Sequence, residues 1–291
     1  MTDKLEKLGR LIEQHVSDDG PLETGLSRLM LFKETRLEAR FPWVYEPVMM
    51  LATQGQKNIY LEGRRFGYGA GEILVLFMPM AVECEVIEAS EASPLLGLGV
   101  RLDRHRLGNL LMTMETAGTP PPRPDAETVS GIFSAPASER LVDTATRLVA
   151  SLEDPAEAAA LGDNIIDEIY FRLLKHEQGG TLRYLLGQQG QIQQVCKAIE
   201  HLQSNLQRQV SVDELASVAN MSASSFHRKF RDVMHVSPLQ YAKLIRLNRA
   251  RDLIIDGKGA GEAAYAVGYN SPAQFSRECK RQFGTTPSGV R

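Results

Sequence analysis

Leu215-Ala216 … Ser222-Ala-Ser-Ser-Phe226-His-Arg228-Lys-Phe230-Arg231 and Ala263-Ala264 … Ser271-Pro-Ala-Gln-Phe275-Ser-Arg277-Glu-Cys279-Lys280 are two copies of one pattern. The offset is 48 residues before the turn (215 to 263) and 49 after it (222 to 271). Each copy is a short apolar helix, a tight turn, then a helix opened by Ser that carries Arg and a second basic residue. That pattern predicts a helix-turn-helix, whose second helix enters the DNA major groove. Two in one chain predict a grip on two groove segments without the need for a dimer.

The surrounding residues sharpen the expectation. A helix is predicted over 192–205, with Ile192, Val195, Ile199 and Leu202 inward. Ser211 caps 212–219, and Glu214 three residues on completes a predicted capping box. Asn220 takes the turn conformation and Ser222 caps the next helix. There Phe226, Phe230 and Val233 form the core face, while Ser224, His227 and Arg228 lie together on a neighbouring face. We assign these three to base contacts, Arg being suited to guanine O6 and N7, and Lys229 and Arg231 to phosphates. Ser237-Pro238 starts a helix ending at Ile255, Pro being pre-organised for a first turn. Its 18 residues (238–255) span about 27 Å, slightly under the ~34 Å of one DNA turn. In the second copy Gly268-Tyr269-Asn270 is the turn, and Phe275, Cys279 and Phe283 form the core stripe. Ala273, Gln274, Ser276 and Arg277 are the base-contact candidates, and Lys280 and Arg281 the phosphate candidates.

The chain has 291 residues, enough for two domains, with ordinary apolar (43%) and charged (24%) content. The net charge of −3 hides an asymmetry. Residues 190–291 hold 14 Lys/Arg against 8 Asp/Glu, and the preceding 189 residues hold 19 against 28. A basic block beside an acidic partner fits a modular DNA binder. No apolar run reaches membrane-helix length, and the polar start is no signal peptide, so a cytoplasmic protein without membrane contact is expected. Cys84, Cys196 and Cys279 are too scattered for a disulfide framework or a zinc site. Cys279 is expected to be buried; Cys84 is the one candidate for a redox-sensing thiol.

The first half reads differently. Leu5, Leu8, Leu11, Ile12 and Val16 give a helix over 4–16. Six strands are predicted, at 27–32, 48–52, 57–61, 72–77, 82–87 and 95–102, separated by Gly, Pro and Asn. Their spacing suggests a sandwich or barrel, and a jelly-roll or cupin-like barrel, hollow enough for a small ligand, fits the length. The six histidines (His15, His105, His176, His201, His227 and His235) include no ligand cluster, so neither a metal nor another cofactor is expected, and an enzyme is not the reading. Tyr45, Glu46, Tyr60, Arg64 and Tyr68 are the pocket candidates; alternatively, the aromatics are core and the charges solvated. Helices follow at 102–115, 138–152 and 156–176, with a Pro-rich spacer at 119–124. The third helix carries Leu161, Ile165, Ile169 and Leu173, flanked by Ile166, Tyr170 and Leu174, a face broad enough to pack on the barrel or to form a dimer. Gln178-Gly-Gly180 ends it, and the residues up to Gly190 read as the domain link.

The run Ser222-x-x-x-Phe226-x-Arg228-x-Phe230 … Ser237-Pro238-x-x-Tyr241 … Arg246-Leu247-x-x-Ala250 … Gly268-Tyr269 … Phe275-Ser-Arg277 … Lys280-Arg-x-Phe283-Gly284-x-Thr286-Pro287 resembles the DNA-binding domain of AraC/XylS-type transcription regulators. Tyr45-Glu46-Pro47 … Gln54-Gly55 … Glu88-Ala-Ser90 resembles the N-terminal domain of one AraC subgroup. The resemblance implies an α+β two-domain fold. Residues 1–185 would be a cupin-like sensing or dimerisation domain with a helical appendage. Residues 190–291 would carry helix-turn-helix 1 (about 211–234), the linker helix (238–255) and helix-turn-helix 2 (about 260–283). It implies a sequence-specific regulator responsive to a ligand or stress, with double-stranded DNA, a small-molecule effector, RNA polymerase and a second copy as partners. The chain departs from the family pattern at Phe226 (usually Leu), His235 (usually Gly) and Cys279 (usually Phe), and Ala260 and Ala263 stand where Ile is usual. Fewer buried methylenes predict a looser second copy that reads less sequence.

Overall fold

The computed structural model describes residues 1–61, 63–119, 131–187, 189–234, 236–283 and 286–289. The Pro-rich stretch beyond Thr119, His235, and the side chains of Ile192 and Val233 lie outside the described residues. The chain divides into two compact bodies: Met1–Arg40, Tyr45–Pro79 and Cys84–Gly187; and Phe41–Val44, Met80–Glu83 and Gln188–Arg291.

Helix α1 (Thr2–Glu13) comes first, then β1 (Gly20–Glu23), β2 (Leu29–Glu34), β3 (Glu38–Tyr45), β4 (Val48–Gln54), β5 (Gln56–Leu61), β6 (Arg64–Gly69), β7 (Glu72–Leu76), β8 (Met80–Glu88) and β9 (Leu95–Arg101). After α2 (Arg104–Thr116) come β10 (Ile132–Pro136), α3 (Glu139–Ala150), α4 (Pro155–Lys175) and α5 (Gly179–Gly187). The strands form a six-stranded sheet, β1-β2-β9-β4-β7-β10, and a four-stranded sheet, β3-β8-β5-β6. The expected closed barrel is not formed: among the described residues the strands end in two separate sheets. All six expected strands are present; the four additional ones (β1, β3, β6 and β10) are the four sheet edges.

The central strands carry the core because both of their faces are covered. β4 is buried from Val48 to Thr53 and β9 from Leu95 to Val100. Gly97 is required by that closeness, since a Cβ there would lie 2.2 Å from the Leu51 carbonyl oxygen. α1 lays Leu8 and Ile12, both fully buried, toward the sheet, with Gly9 beside Thr53. The helical appendage is joined by polar links. The Tyr170 hydroxyl accepts from the Asp103 amide at 3.0 Å, and Arg106 reaches Asp167 through Nε at 2.8 Å and Nη2 at 2.6 Å.

The broad apolar face of α4 is consumed inside the first body: Ile165, Ile166, Ile169, Tyr170, Leu173 and Leu174 are buried, and Leu161 alone of that set is exposed. The expected link before Gly190 is instead helical. Gln178 ends a turn and Gly179-Gly180 open α5, whose Leu182, Leu185 and Leu186 are buried. Gly179 permits the turn because a Cβ there would meet the Leu174 carbonyl oxygen at 2.2 Å.

In the second body α6 (Gln189–Ser204) precedes α7 (Val212–Val218), α8 (Ala223–Met234), α9 (Pro238–Ile255), α10 (Ala260–Ala266) and α11 (Pro272–Phe283). No helix among the described residues is long and apolar enough to cross a membrane.

Candidate nucleic-acid interface

The two copies share one turn, atom for atom. Met221 N–H donates to Ala216 O at 2.9 Å and Asn220 N–H to Ser217 O at 2.9 Å; 48 residues on, Tyr269 donates to Ala264 at 3.0 Å and Gly268 to Tyr265 at 3.0 Å. This helix end needs a left-handed residue, supplied by Asn220 (φ 50°) and Gly268 (φ 84°). Gly268 is further fixed by closeness, since a Cβ would lie 2.7 Å from Leu206 O. Ser222 and Ser271 then cap α8 and α11, accepting from Ser225 and Gln274 amides, each at 3.3 Å. The shift from 48 to 49 is thus one extra residue between turn and cap: Tyr269-Asn270 stands where Met221 stands alone.

Beneath α8, Phe226 and Phe230 are buried with ring centroids 5.4 Å apart, and Phe230 meets Tyr241 of α9 at 5.6 Å. Beneath α11 the core is Leu247, Ala250, Leu253, Ala263, Ala264, Val267, Tyr269, Phe275 and Cys279. Cys279 occupies the place that Phe230 fills in the first copy. Burial, then the neighbouring Glu278, pushes its thiol up to about 12, away from reactivity.

With the phenylalanines inward, the helical period sends the nominated residues outward. Ser224, His227, Arg228, Ala273, Gln274 and Arg277 are exposed, and Ser276 is half-buried. Arg231, Lys280 and Arg281 are exposed, and Lys229 is half-buried. Among the described residues, none of the six cations on α8 and α11 (Arg228, Lys229, Arg231, Arg277, Lys280 and Arg281) has an ion pair. In the first body, by contrast, Arg28, Arg101, Arg106, Arg147, Arg172 and Arg183 are all paired with carboxylates. Unpaired cations on two exposed helix faces are suited to a polyanion.

The capping box predicted at Ser211 and Glu214 is only half made. Ser211 Oγ accepts from the Glu214 amide at 3.1 Å, but the Glu214 carboxylate turns to Arg208, at 2.9 Å from Nη1, and to His201 Nε2 at 2.7 Å. The stronger, charge-assisted partner wins over the backbone amide. A complete box stands at Ser237 and Gln240, the start of α9. The sequence reading missed His201 and Arg208; the polar spacing from 201 to 214 across a loop carries no signal for it. Arg246 of α9 donates to Arg208 O at 2.6 Å, so this cluster ties α6, α7 and α9 together. The Arg208 hydrogen bond, then that from His201, holds the Glu214 carboxyl down at about 2. A depressed folded value means the tie is complete above the unfolded carboxyl value of about 4.3 and is lost as pH falls toward 2. Carboxyl titration by NMR is expected to place the Glu214 midpoint near that lower value, with amide exchange in Val212–Val218 rising only on the acid side of the unfolded one.

The five pocket candidates are not brought together. Register pairs Lys57 with Tyr68 and Tyr60 with Arg65, so Tyr60 and Tyr68 point to opposite sheet faces. Tyr68 is fully buried, with a hydroxyl that has no partner among the described residues. Cys84 donates to the Tyr45 hydroxyl at 3.8 Å. Burial, then Cys84, pushes the Tyr45 and Tyr68 hydroxyls up, and burial pushes the Glu34 carboxyl up. Tyr60 lies on the other face, donating to Glu85 at 2.5 Å under the Arg40 guanidinium at 3.5 Å. Glu46 and Arg64 are exposed, Arg64 lying over the Phe66 ring at 5.4 Å. No group of three or more His, Cys, Asp or Glu among the described residues is arranged to hold a metal ion.

Two family models match this chain. The AraC-type transcriptional regulator N-terminus matches residues 25–181, more than half of it, and a helix-turn-helix domain matches residues 215–291. The probable transcriptional regulator LumQ of Photobacterium leiognathi is 34% identical over 89 residues, 30% of this chain and 36% of LumQ. The HTH-type regulator GbdR of Pseudomonas aeruginosa is 32% identical over 127 residues, 42% of this chain and 34% of GbdR, so the chain spans about a third of either relative. The lactose operon transcription activator of Staphylococcus xylosus is 21% identical over 84% of this chain and 83% of its own length. Among solved structures, an apo single-residue variant of ToxT from Vibrio cholerae superimposes with a TM-score of 0.61 at 11% identity, over 92% of this chain and 97% of ToxT. Wild-type ToxT bound to an unsaturated fatty acid gives 0.58 at 10% identity, over 94% and 96%. At such identities the likeness is one of fold: an α+β chain with a strand-rich first part and a helical second part. By the match over more than half its length, the chain belongs to the AraC-type transcriptional regulators.

Proposed function

We propose that this regulator binds promoter DNA through both helix-turn-helix copies at once, α8 and α11 entering successive major-groove segments on one face of the duplex. One observation carries the reading: Arg228 and Arg277 stand at the same place in two copies of one turn, exposed and without an ion pair among the described residues. The 18 residues of α9 span about 27 Å, and helices lying beyond its ends reach segments ~34 Å apart. Ser224, His227 and Arg228, with Ala273, Gln274, Ser276 and Arg277, face base edges; Lys229, Arg231, Lys280 and Arg281 hold phosphates. The DNA-binding domain is residues 190–291 and the sensing domain 1–185.

The sensing domain keeps a cupin-like character in its inward positions, and its effector lies against Tyr45 and Tyr68, beside Cys84. The unpartnered Tyr68 hydroxyl supports this, because a buried hydroxyl costs free energy until something accepts from it. Glu46, Tyr60 and Arg64 fall outside that pocket. Contact with RNA polymerase, pairing with a second copy and a cytoplasmic location complete the proposal, as the family implies.

Selection of sites from random DNA with the full-length chain tests the DNA reading. A motif in two parts about one helical turn apart supports it; enrichment of a single undivided site overturns the two-groove grip. Affinity for the selected site is also expected to fall steeply with salt. Four phosphate contacts correspond to a log–log slope of about −3.6. A flat dependence, measured by fluorescence anisotropy between low and physiological salt, contradicts groove binding.

A further inference from the structure

Glu278 is the single acidic residue of α11, on the helix that carries Gln274 and Arg277 toward DNA. Its carboxylate is only 21% exposed and is fixed from two other elements. Oε2 accepts from the Tyr269 hydroxyl in the turn at 2.8 Å and lies 3.3 Å from Lys243 Nζ of α9. Burial, then Glu278, drives the Tyr269 hydroxyl far up, so it remains a donor. The other oxygen, Oε1, faces Gln274 Nε2 at 3.4 Å.

We infer that Glu278, held by Tyr269 and Lys243, orients the Gln274 amide and so selects an amino-bearing base, adenine or cytosine, at one position of the second half-site. The inference rests on the proposed reading of Gln274 as a base contact. A free glutamine amide is ambivalent: it presents either its carbonyl oxygen or its NH2 group to a base edge. Beside a carboxylate it is not. With the NH2 group toward Oε1, a charge-assisted hydrogen bond forms; with the carbonyl there, two acceptors repel. The favoured orientation turns the Gln274 carbonyl oxygen away from Glu278, toward solvent. An acceptor aimed into the major groove matches adenine N6 or cytosine N4, and meets only other acceptors on guanine O6 and N7 or thymine O4. The second N–H of the amide is still free for adenine N7. The first copy has no equivalent, because Lys229 stands where Glu278 stands in the second.

The test is binding of the full-length chain to the selected site with each of the four bases at every position of the second half-site. For the natural chain, adenine or cytosine at one position is expected to bind about tenfold or more tighter than guanine or thymine. A preference for guanine or thymine at the position governed by Gln274 overturns the inference. Gln274→Ala identifies that position by flattening it. If Gln274→Ala leaves the whole motif unchanged, the reading of Gln274 as a base contact has failed, and the inference with it. Glu278→Gln keeps the shape but lets the Gln274 amide turn either way, so it is expected to flatten the same position and no other. Tyr269→Phe keeps the ring against Phe275, 5.2 Å away, and removes one hold on Glu278; it is expected to flatten the position in part. Uniform weakening in both variants with the adenine or cytosine preference intact means that Glu278 only supports the fold, and overturns its positioning role.

Discussion

Arg228→Ala is expected to weaken binding to the selected DNA site by about 5- to 150-fold, the 1–3 kcal/mol of one bidentate base contact, and to relax specificity in the first half-site alone. The side chain is exposed and unpaired among the described residues, so its loss leaves no buried group unsatisfied and the fold intact. The effect is therefore one on recognition, separable from stability by an unchanged circular-dichroism melt. Arg277→Ala is expected to cost less. Its helix rests on Ala263, Ala264 and Cys279, where a bulkier core would hold it more firmly. Equal losses in the two variants, measured on the same DNA, would sink the ranking of the copies while leaving both as readers.

Phe230→Ala is expected to be the most destabilising change in the DNA-binding part, by about 3–5 kcal/mol. The ring is 1% exposed, packed between Phe226 on its own helix and Tyr241 on α9. Removing it leaves a cavity at the place where α8 is fixed to the linker helix, so the first half-site motif is expected to vanish with it. Cys279→Ala, 49 residues on, removes one sulfur and is expected to cost on the order of 1 kcal/mol. Hydrogen exchange of Ala223–Met234 and of Pro272–Phe283 in full-length variants reads the two effects separately, which a single melting curve of a two-body chain does not. Comparable loss of protection from both substitutions would mean that the second core is not the looser one.

Which parts of the first body were legible follows a physical line. The six strands read from the sequence lie inside the sheets or next to an edge strand, and their apolar runs survive because neighbours cover them. The four that escaped are edge strands, and each carries what an edge tolerates and a central strand does not. β3 holds Pro42, β6 opens Arg64-Arg65 and holds Gly67 and Gly69, β1 opens Gly-Pro, and β10 ends at Pro136. Helix α5 escaped for a related reason: Gly179-Gly180 has the composition of a break, and only the closeness of the Leu174 carbonyl shows that Gly179 is needed for a sharp turn into a further helix.

The paired helix-turn-helix, its turns, its caps and its outward residues were determined by the sequence alone. Their signals are local: a left-handed residue, a Ser cap and a 3.6-residue period each act within a few positions, and repetition 48 and 49 residues on removes the ambiguity. The same residues carry the resemblance to the family, and the match over residues 25–181 shows the membership. Only the tertiary structure decided what depends on distant partners. It separated Tyr60 from Tyr68 by strand parity, opened the expected barrel into two sheets, and turned Glu214 away from its cap toward Arg208 and His201. It also placed Glu278 between Tyr269, Lys243 and Gln274. Hydrogen bonds between side chains on different elements leave no period in a sequence, because their geometry is set by packing that brings remote residues within about 3 Å of each other.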